Sequence, residues 1–185
     1  LRFFLERCPD PKTGLFPWGE HAYWDFFREA PAQPIHEFLG APPLACWERM
    51  WRMNPEALKR EGEGLLNHVT DLETFHFDRH ADLHRPLPLP RPPGGGGLDF
   101  PRHAGFYIRL WSFLHARTGD PRWLEWSLKM LDHHWRARHP RTGLLPVCTR
   151  GDRARIAAPE MMLSLAVSLL EAARLISPGE GPAGE

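Results

Sequence analysis

Neither sign of charge prevails in this chain: 23 Lys and Arg stand against 23 Asp and Glu among 185 residues. That balance excludes the basic footprint of a nucleic-acid binder and the polybasic patch of a membrane-surface protein, so neither is expected as a partner. Cysteine is scarce. Cys8, Cys46 and Cys148 are odd in number, far apart and without metal-ligand spacing, which excludes a disulfide framework and reads as three reduced thiols. The glycines at 94–97 lack a following Lys-Ser/Thr and a preceding strand, which excludes a phosphate loop. There is no initiator methionine and no signal peptide; residues 1–7 read as the end of a helix already under way. The chain is therefore expected to be a fragment, with its compartment left unknown. Residues 158–176 are apolar enough to raise a membrane question. Glu171 and Arg174, with Ser164 and Ser168, favour a buried helix of a soluble protein instead.

What the chain has in quantity is proline (20), glycine (16) and tryptophan (8), a mixture that calls for long structured loops between helices. The clearest helices flank Thr118-Gly119-Asp120-Pro121. Gly119 suits a left-handed helix end, Asp120 can cap the next helix, and Pro121 suits its first position. So short a joint makes the two helices antiparallel neighbours. The helix over 101–117 is apolar almost all round (Phe106, Tyr107, Ile108, Leu110, Trp111, Phe113, Leu114) and has to be covered on most sides. In its successor Arg122, Glu125, Lys129, Asp132 and Arg136 share one face. Leu124, Leu128, Leu131 and Trp135 line another, with Trp123 and Met130 beside them, so Trp123 and Trp135 are expected in the core. The helix over 159–176 resembles the first, and a covered, half-exposed, covered alternation is expected.

Upstream, residues 22–27 read as a short helix and 44–53 as a helix with Trp47 and Trp51 one turn apart. Asn54-Pro55 restarts a helix that runs to about Val69 and is weakened by Gly62 and Gly64. Residues 70–84 are polar, aromatic and short of helix signals, and 85–98 form an extended, then flexible loop insertion. The two halves are too alike in style to be read as separate domains. One all-α hairpin array over 1–176 is expected, with a flexible tail at 177–185. The phrase Pro11-Lys12-Thr13-Gly14-Leu15-Phe16-Pro17 returns as Pro140-Arg141-Thr142-Gly143-Leu144-Leu145-Pro146, each time after a helix, which is the trace of an internal repeat.

Four stretches together, Thr13 through His21, Phe77-Asp78-Arg79-His80, Asp99 through Tyr107 and Thr118 through Pro121, resemble an (α/α)-toroid carbohydrate-active enzyme. The likeness is to pectate-lyase-like and six-hairpin glycosidase-like bacterial proteins and spans residues 8–150. It implies antiparallel helical hairpins forming part of a ring, with a sugar cleft at the loop-bearing end; this chain is too short to close such a ring. A carbohydrate substrate is the implied partner. No cofactor is assigned, and a divalent cation is left open.

Polar and aromatic groups concentrate in the loops, where function is usually built. A uronate lyase needs a cation to neutralise the substrate carboxylate, a role that suits Arg79 or Arg102. It also needs a base, for which His80, His103 or Tyr107 are the candidates. Trp18, Glu20, His21, Trp24, His36, Glu37 and Asp99 are the expected substrate-binding set, Trp18 and Trp24 as rings to stack on sugar faces. A hydrolase would instead need two opposed carboxyl groups, drawn from Glu20, Glu37, Asp71, Asp78 and Asp99. His76, His80 and His84 recur every four residues, with His68 upstream; on a helix they could share a zinc, but the segment reads as loop and no metal site is assigned. The expected function is β-elimination on a uronate-containing polysaccharide. A glycoside hydrolase or sugar epimerase on the same scaffold, or a non-catalytic helical-repeat module, are the alternatives.

Overall fold

A computed structural model describes residues 1–18, 23–38, 43–86 and 97–177, and the chain divides into two compact units, Leu1–Asp99 and Phe100–Glu185. The expectation of one array over 1–176 marked no division there; it falls directly after the Pro/Gly-rich insertion.

The first unit opens with α1 (Arg2–Arg7). The short helix expected at 22–27 is not formed where that span is described. Trp24–Asp25 (β1) pairs antiparallel with Ala30–Pro31 (β2) instead. The Asp25 carboxylate accepts from the N–H groups of Phe27 and Arg28 at 2.9 and 3.1 Å, and Glu29 turns left-handed at φ +48°. A short carboxylate bonding its own backbone two and three residues on is turn chemistry, and it wins over helix here. Helices α2 (Leu44–Met53) and α3 (Pro55–Gly64) form as expected. Between them Asn54 accepts from the Ala57 N–H at 3.1 Å, and Pro55 occupies the first helical position. The continuation towards residue 69 is tighter than expected, a 3₁₀ turn over Leu65–His68. Trp47 is fully buried in a cluster with Phe4, Phe16, Trp18 and Phe38, their neighbouring ring centroids 5.2 to 6.4 Å apart. Ile35–His36 (β3) and Ala81–Asp82 (β4) form a second antiparallel pair.

In the second unit α4 (Pro101–Thr118) is buried on nearly every side, packed against both α5 (Pro121–Ala137) and α6 (Pro159–Ile176). The joint is as read: Gly119 sits at φ +70°, and the Asp120 side chain accepts from the Arg122 N–H at 2.9 Å. The covered stripe of α5 differs from the expected one. Trp123, Ser127, Met130 and His134 are buried, whereas Leu128 and Trp135 are 56% and 58% exposed. Trp126 explains the rotation: its ring meets Trp111 of α4 and Trp123 edge-on at 5.7 and 5.1 Å, drawing that flank inward. The alternation also ends early. Helix α6 buries Leu165, Ser168 and Ala172, while Leu163, Val167 and Leu170 stand more than half exposed. It meets α4 at Gly105, where an added Cβ would lie 2.8 Å from Ser168 Oγ, and through the Arg109–Glu171 ion pair at 2.5 Å.

The repeated loop phrase has the same geometry in each unit. In the first copy Asp10 N–H donates to the Leu15 carbonyl and Gly14 N–H to the Asp10 carbonyl, both at 2.9 Å. In the second, His139 with Leu144 and Gly143 with His139 make the same two bonds at 2.8 Å. The side-chain acceptor differs: Asp10 Oδ1 takes the Thr13 N–H at 2.9 Å, and His139 Nδ1 takes the Thr142 N–H at 3.2 Å. Gly14 and Gly143 both sit left-handed, at +78° and +71°. The copies differ in their support. An added Cβ at Gly14 would lie 2.5 Å from the Arg60 carbonyl of α3, whereas at Gly143 it would meet nothing within 4 Å among the described residues.

Candidate active site

The register of β3 and β4 builds the site. Ile35 pairs with Asp82 and His36 with Ala81, so the residues just past the end of this ladder, Glu37 and His80, are brought near each other. Alternation along a strand sends His36 to one side and Glu37 to the other. Glu37 is fully buried, with Arg79 Nη1 donating to its Oε1 at 2.6 Å and His80 Nε2 lying 3.5 Å from its Oε2. The Arg79 and His80 side chains are 18% and 32% exposed. A carboxylate taken wholly out of water is thus compensated by two partners whose outer atoms still reach solvent. Asp78 shapes the turn, its carboxylate accepting from the His80 N–H at 2.9 Å. The hairpin that carries this segment closes through a Val69–Phe77 bridge and the Asp78 N–H bond to the His68 carbonyl at 2.9 Å.

On the other side of β3 lies a fully buried polar chain. His36 Nδ1 is 2.7 Å from His68 Nε2, His36 Nε2 is 3.3 Å from Glu61 Oε1, and Glu61 Oε2 accepts from the Phe16 N–H at 2.6 Å. Burial pushes the Glu61 carboxyl up to about 8. It pushes His36 down to about 3 against the opposing charge of Glu37. His36, expected to bind substrate, therefore sits in the interior. Glu61 was not singled out in the sequence, yet the signal was there: it shares a helix face with Ala57, Leu58 and Leu65, all buried.

The other expected site residues are spread differently. Glu20 and His21 lie outside the described residues. Trp18 is half-buried, stacked against Trp47 at 6.1 Å, and Trp24 is half-exposed with Phe3 at its edge. Tyr23, Phe26 and Phe27, which sequence reasoning passed over, hold exposed rings around the same hairpin. Asp99 is buried, its Oδ2 3.8 Å from His76 Nε2. The histidine series has dispersed partners: His76 meets Thr70 and Asp99, His80 meets Glu37 and Asp78, and His84 meets Asp10 at 2.7 Å. Among the described residues no three His, Cys, Asp or Glu side chains are grouped to hold a metal ion. Asp71 accepts from the N–H groups of Glu73 and Thr74 and shapes its own turn. In the second unit His103 and Tyr107 are fully buried on α4, and Arg102 lies over the Phe100 ring at 5.7 Å. An open concavity of that unit, lined by Arg138, His139, Leu144, Arg155 and Ile156 among others, holds none of the expected site residues. No helix among the described residues is long and apolar enough to cross a membrane.

Comparison with known proteins adds identity to this geometry. A pectate disaccharide-lyase of Dickeya dadantii (strain 3937) is 29% identical over 165 residues, covering 77% of this chain and 30% of that protein. The chain thus spans about three tenths of that relative's length. The family described as periplasmic pectate lyase matches residues 1–149, a stretch that includes Glu37, Glu61 and Asp78 through His80. The resemblance read from the loop phrases to pectate-lyase-like proteins is borne out. With well over half of its length matched, this chain belongs to the periplasmic pectate lyase family.

Proposed function

We propose that this chain carries reaction machinery of a lyase that cleaves uronate-containing polysaccharide by β-elimination, with Glu37, Arg79 and His80 at its centre. Family membership supports the substrate class. The observation that carries the assignment is the buried Glu37 carboxylate, which holds a guanidinium and an imidazole side by side at the edge of solvent.

Elimination removes the proton on the carbon next to the uronate carboxylate and expels the glycosidic oxygen from the following carbon. The proton is weakly acidic, because its loss puts a second negative charge beside the carboxylate. In this reading the Arg79 guanidinium, fixed by Glu37 through Nη1, turns its outer N–H groups to the substrate carboxylate and stabilises that charge. The His80 imidazole, with Nε2 3.5 Å from Glu37 Oε2, is the proton-accepting group. The exposed rings around the β1–β2 hairpin offer pyranose faces a stacking surface. Arg102, His103 and Tyr107 serve the entry and packing of α4. The helices of the second unit form part of an (α/α) toroid. The hydrolase alternative needs two carboxyl groups opposed across a glycosidic bond; the Glu37 carboxylate faces Arg79 and His80 instead, which favours elimination.

The test is the product released from a polyuronate by the intact protein. An unsaturated, ultraviolet-absorbing end is expected; new reducing ends without that absorbance would establish hydrolysis. Substitution divides the roles. A fall in kcat of about 100-fold or more is expected for His80→Asn with the fold kept. A folded His80→Asn protein with wild-type kcat would take proton abstraction away from His80.

A further inference from the structure

The buried chain behind β3 has a proton arrangement that can be worked out from its ends. His68 Nδ1 lies 2.8 Å from the Asp78 carbonyl, which only accepts, so Nδ1 carries a hydrogen. At the other end Glu61 Oε2 accepts from the Phe16 N–H, so that oxygen carries none. Two short contacts remain, His68 to His36 at 2.7 Å and His36 to Glu61 at 3.3 Å, and each needs one hydrogen. The proton nearest Glu61 then has three arrangements open to it. On Glu61 it leaves the whole chain neutral. On His36, or passed along to His68, it leaves a carboxylate and an imidazolium in an interior where all three side chains have no exposed surface. Neither His36 Nε2 nor Glu61 Oε1 makes a well-formed hydrogen bond among the described residues, their own 3.3 Å contact included, so nothing offsets such charges. The neutral arrangement prevails. The upward displacement of Glu61 and the downward displacement of His36 run the same way.

The chain also has a direction in space. His36 immediately precedes Glu37, the Asp78 carbonyl belongs to the peptide that leads into Arg79, and Glu61 ties both to Phe16. A backbone carbonyl cannot take up a proton, so the chain ends there and is no relay to the reacting atoms. We propose that Glu61 stands as a neutral carboxylic acid and that Glu61, His36 and His68 are positioning residues, setting the spacing of Glu37 against Arg79 and His80. The role rests on the reading that these three groups act in the elimination.

The test compares Glu61→Gln with Glu61→Ala in the intact protein acting on polyuronate. A glutamine amide donates to His36 Nε2 and accepts from the Phe16 N–H, reproducing the neutral acid bond for bond, so kcat is expected within a few-fold of wild type. Alanine removes the Phe16 bond and the contact with His36, and kcat is expected to fall about 100-fold, as for a misplacement of the reacting groups by about 1 Å. Infrared difference spectra of wild type against Glu61→Gln should contain, at neutral pH, the carbonyl stretch of a protonated carboxyl. Absence of that band, or a glutamine variant as damaged as alanine, overturns the neutral acid. A folded Glu61→Ala with wild-type kcat overturns positioning; if alanine prevents folding, His68→Gln, which keeps the bond to His36 and drops the one to Asp78, takes its place. Arg79→Ala separates the two claims. Full activity in that variant sinks the Glu37–Arg79–His80 reading, while the infrared band still decides the state of Glu61.

Discussion

Raising the pH above neutrality should loosen this protein, and one buried carboxyl sets the size of the effect. Glu61 has an ordinary value of 4.5 and is pushed up to about 8, so the folded chain keeps a proton that the unfolded chain gives up. Its stabilising contribution is complete below 4.5 and is lost as pH rises towards 8. His36 runs the other way, from 6.5 down to about 3: its contribution is complete above 6.5 and is lost as pH falls towards 3. Between 4.5 and 6.5 the slopes cancel, because unfolding releases one proton and takes up another. Above 6.5 the Glu61 slope stands alone. Stability then falls by about 1.4 kcal/mol per pH unit, or about 2 kcal/mol by pH 8. For a chain of this length that is a drop in Tm of about 4–8 °C. Thermal unfolding followed by circular dichroism at a series of pH values reads it directly. Glu61→Gln has no proton to release, so its Tm should hold level where the wild type declines. Parallel decline of the two proteins from pH 6.5 to 8 would refute the reasoning. The titration counts the protons held by the pair, and the infrared spectrum locates them.

Four further substitutions test the packing and one helix cap. Gly105→Ala gains about 1 kcal/mol in helix propensity, but its Cβ would press on Ser168 Oγ and Cβ at 2.8 and 2.9 Å. Overpacking of about 1–3 kcal/mol should leave a net loss, visible as a lowered urea midpoint and partly restored by Ser168→Gly. Asn54→Ala removes the α3 cap and should cost about 1 kcal/mol by the same measurement. Trp123→Ala should cost about 3–5 kcal/mol and Trp135→Ala about 0.5 kcal/mol or less; equal losses would mean that the buried stripe of α5 is wrongly assigned.

The helices were legible because their ends are written locally. Asn54-Pro55 and Thr118-Gly119-Asp120-Pro121 each cap, start or stop a helix through bonds that reach no more than four residues. The repeated loop was legible for the same reason, and its bonding recurs even with His139 in place of Asp10. The stripe of α5 was misread because residue type was taken for burial. Ser127 and His134 are covered and Leu128 is not, a choice made by how Trp126 docks on α4. The β1–β2 hairpin was missed because apolar residues at 22–27 suggested helix, while Asp25 and the left-handed Glu29 decided for a turn. At the candidate site Glu37, Arg79 and His80 could each be named from the sequence. Their meeting depends on a strand register that joins segments 42 residues apart. The His36–Glu61–His68 chain was out of reach because His36 stands on a strand far in sequence from Glu61 and His68, and only burial gives them meaning.

The most direct test of the Glu37–Arg79–His80 reading is the initial rate of ultraviolet-absorbing product from polyuronate, measured for the intact protein and for Arg79→Ala. Loss of the charge-stabilising guanidinium should lower the rate by about 100-fold or more while the fold, read by circular dichroism, is kept. An Arg79→Ala protein that forms unsaturated product at the wild-type rate would contradict it.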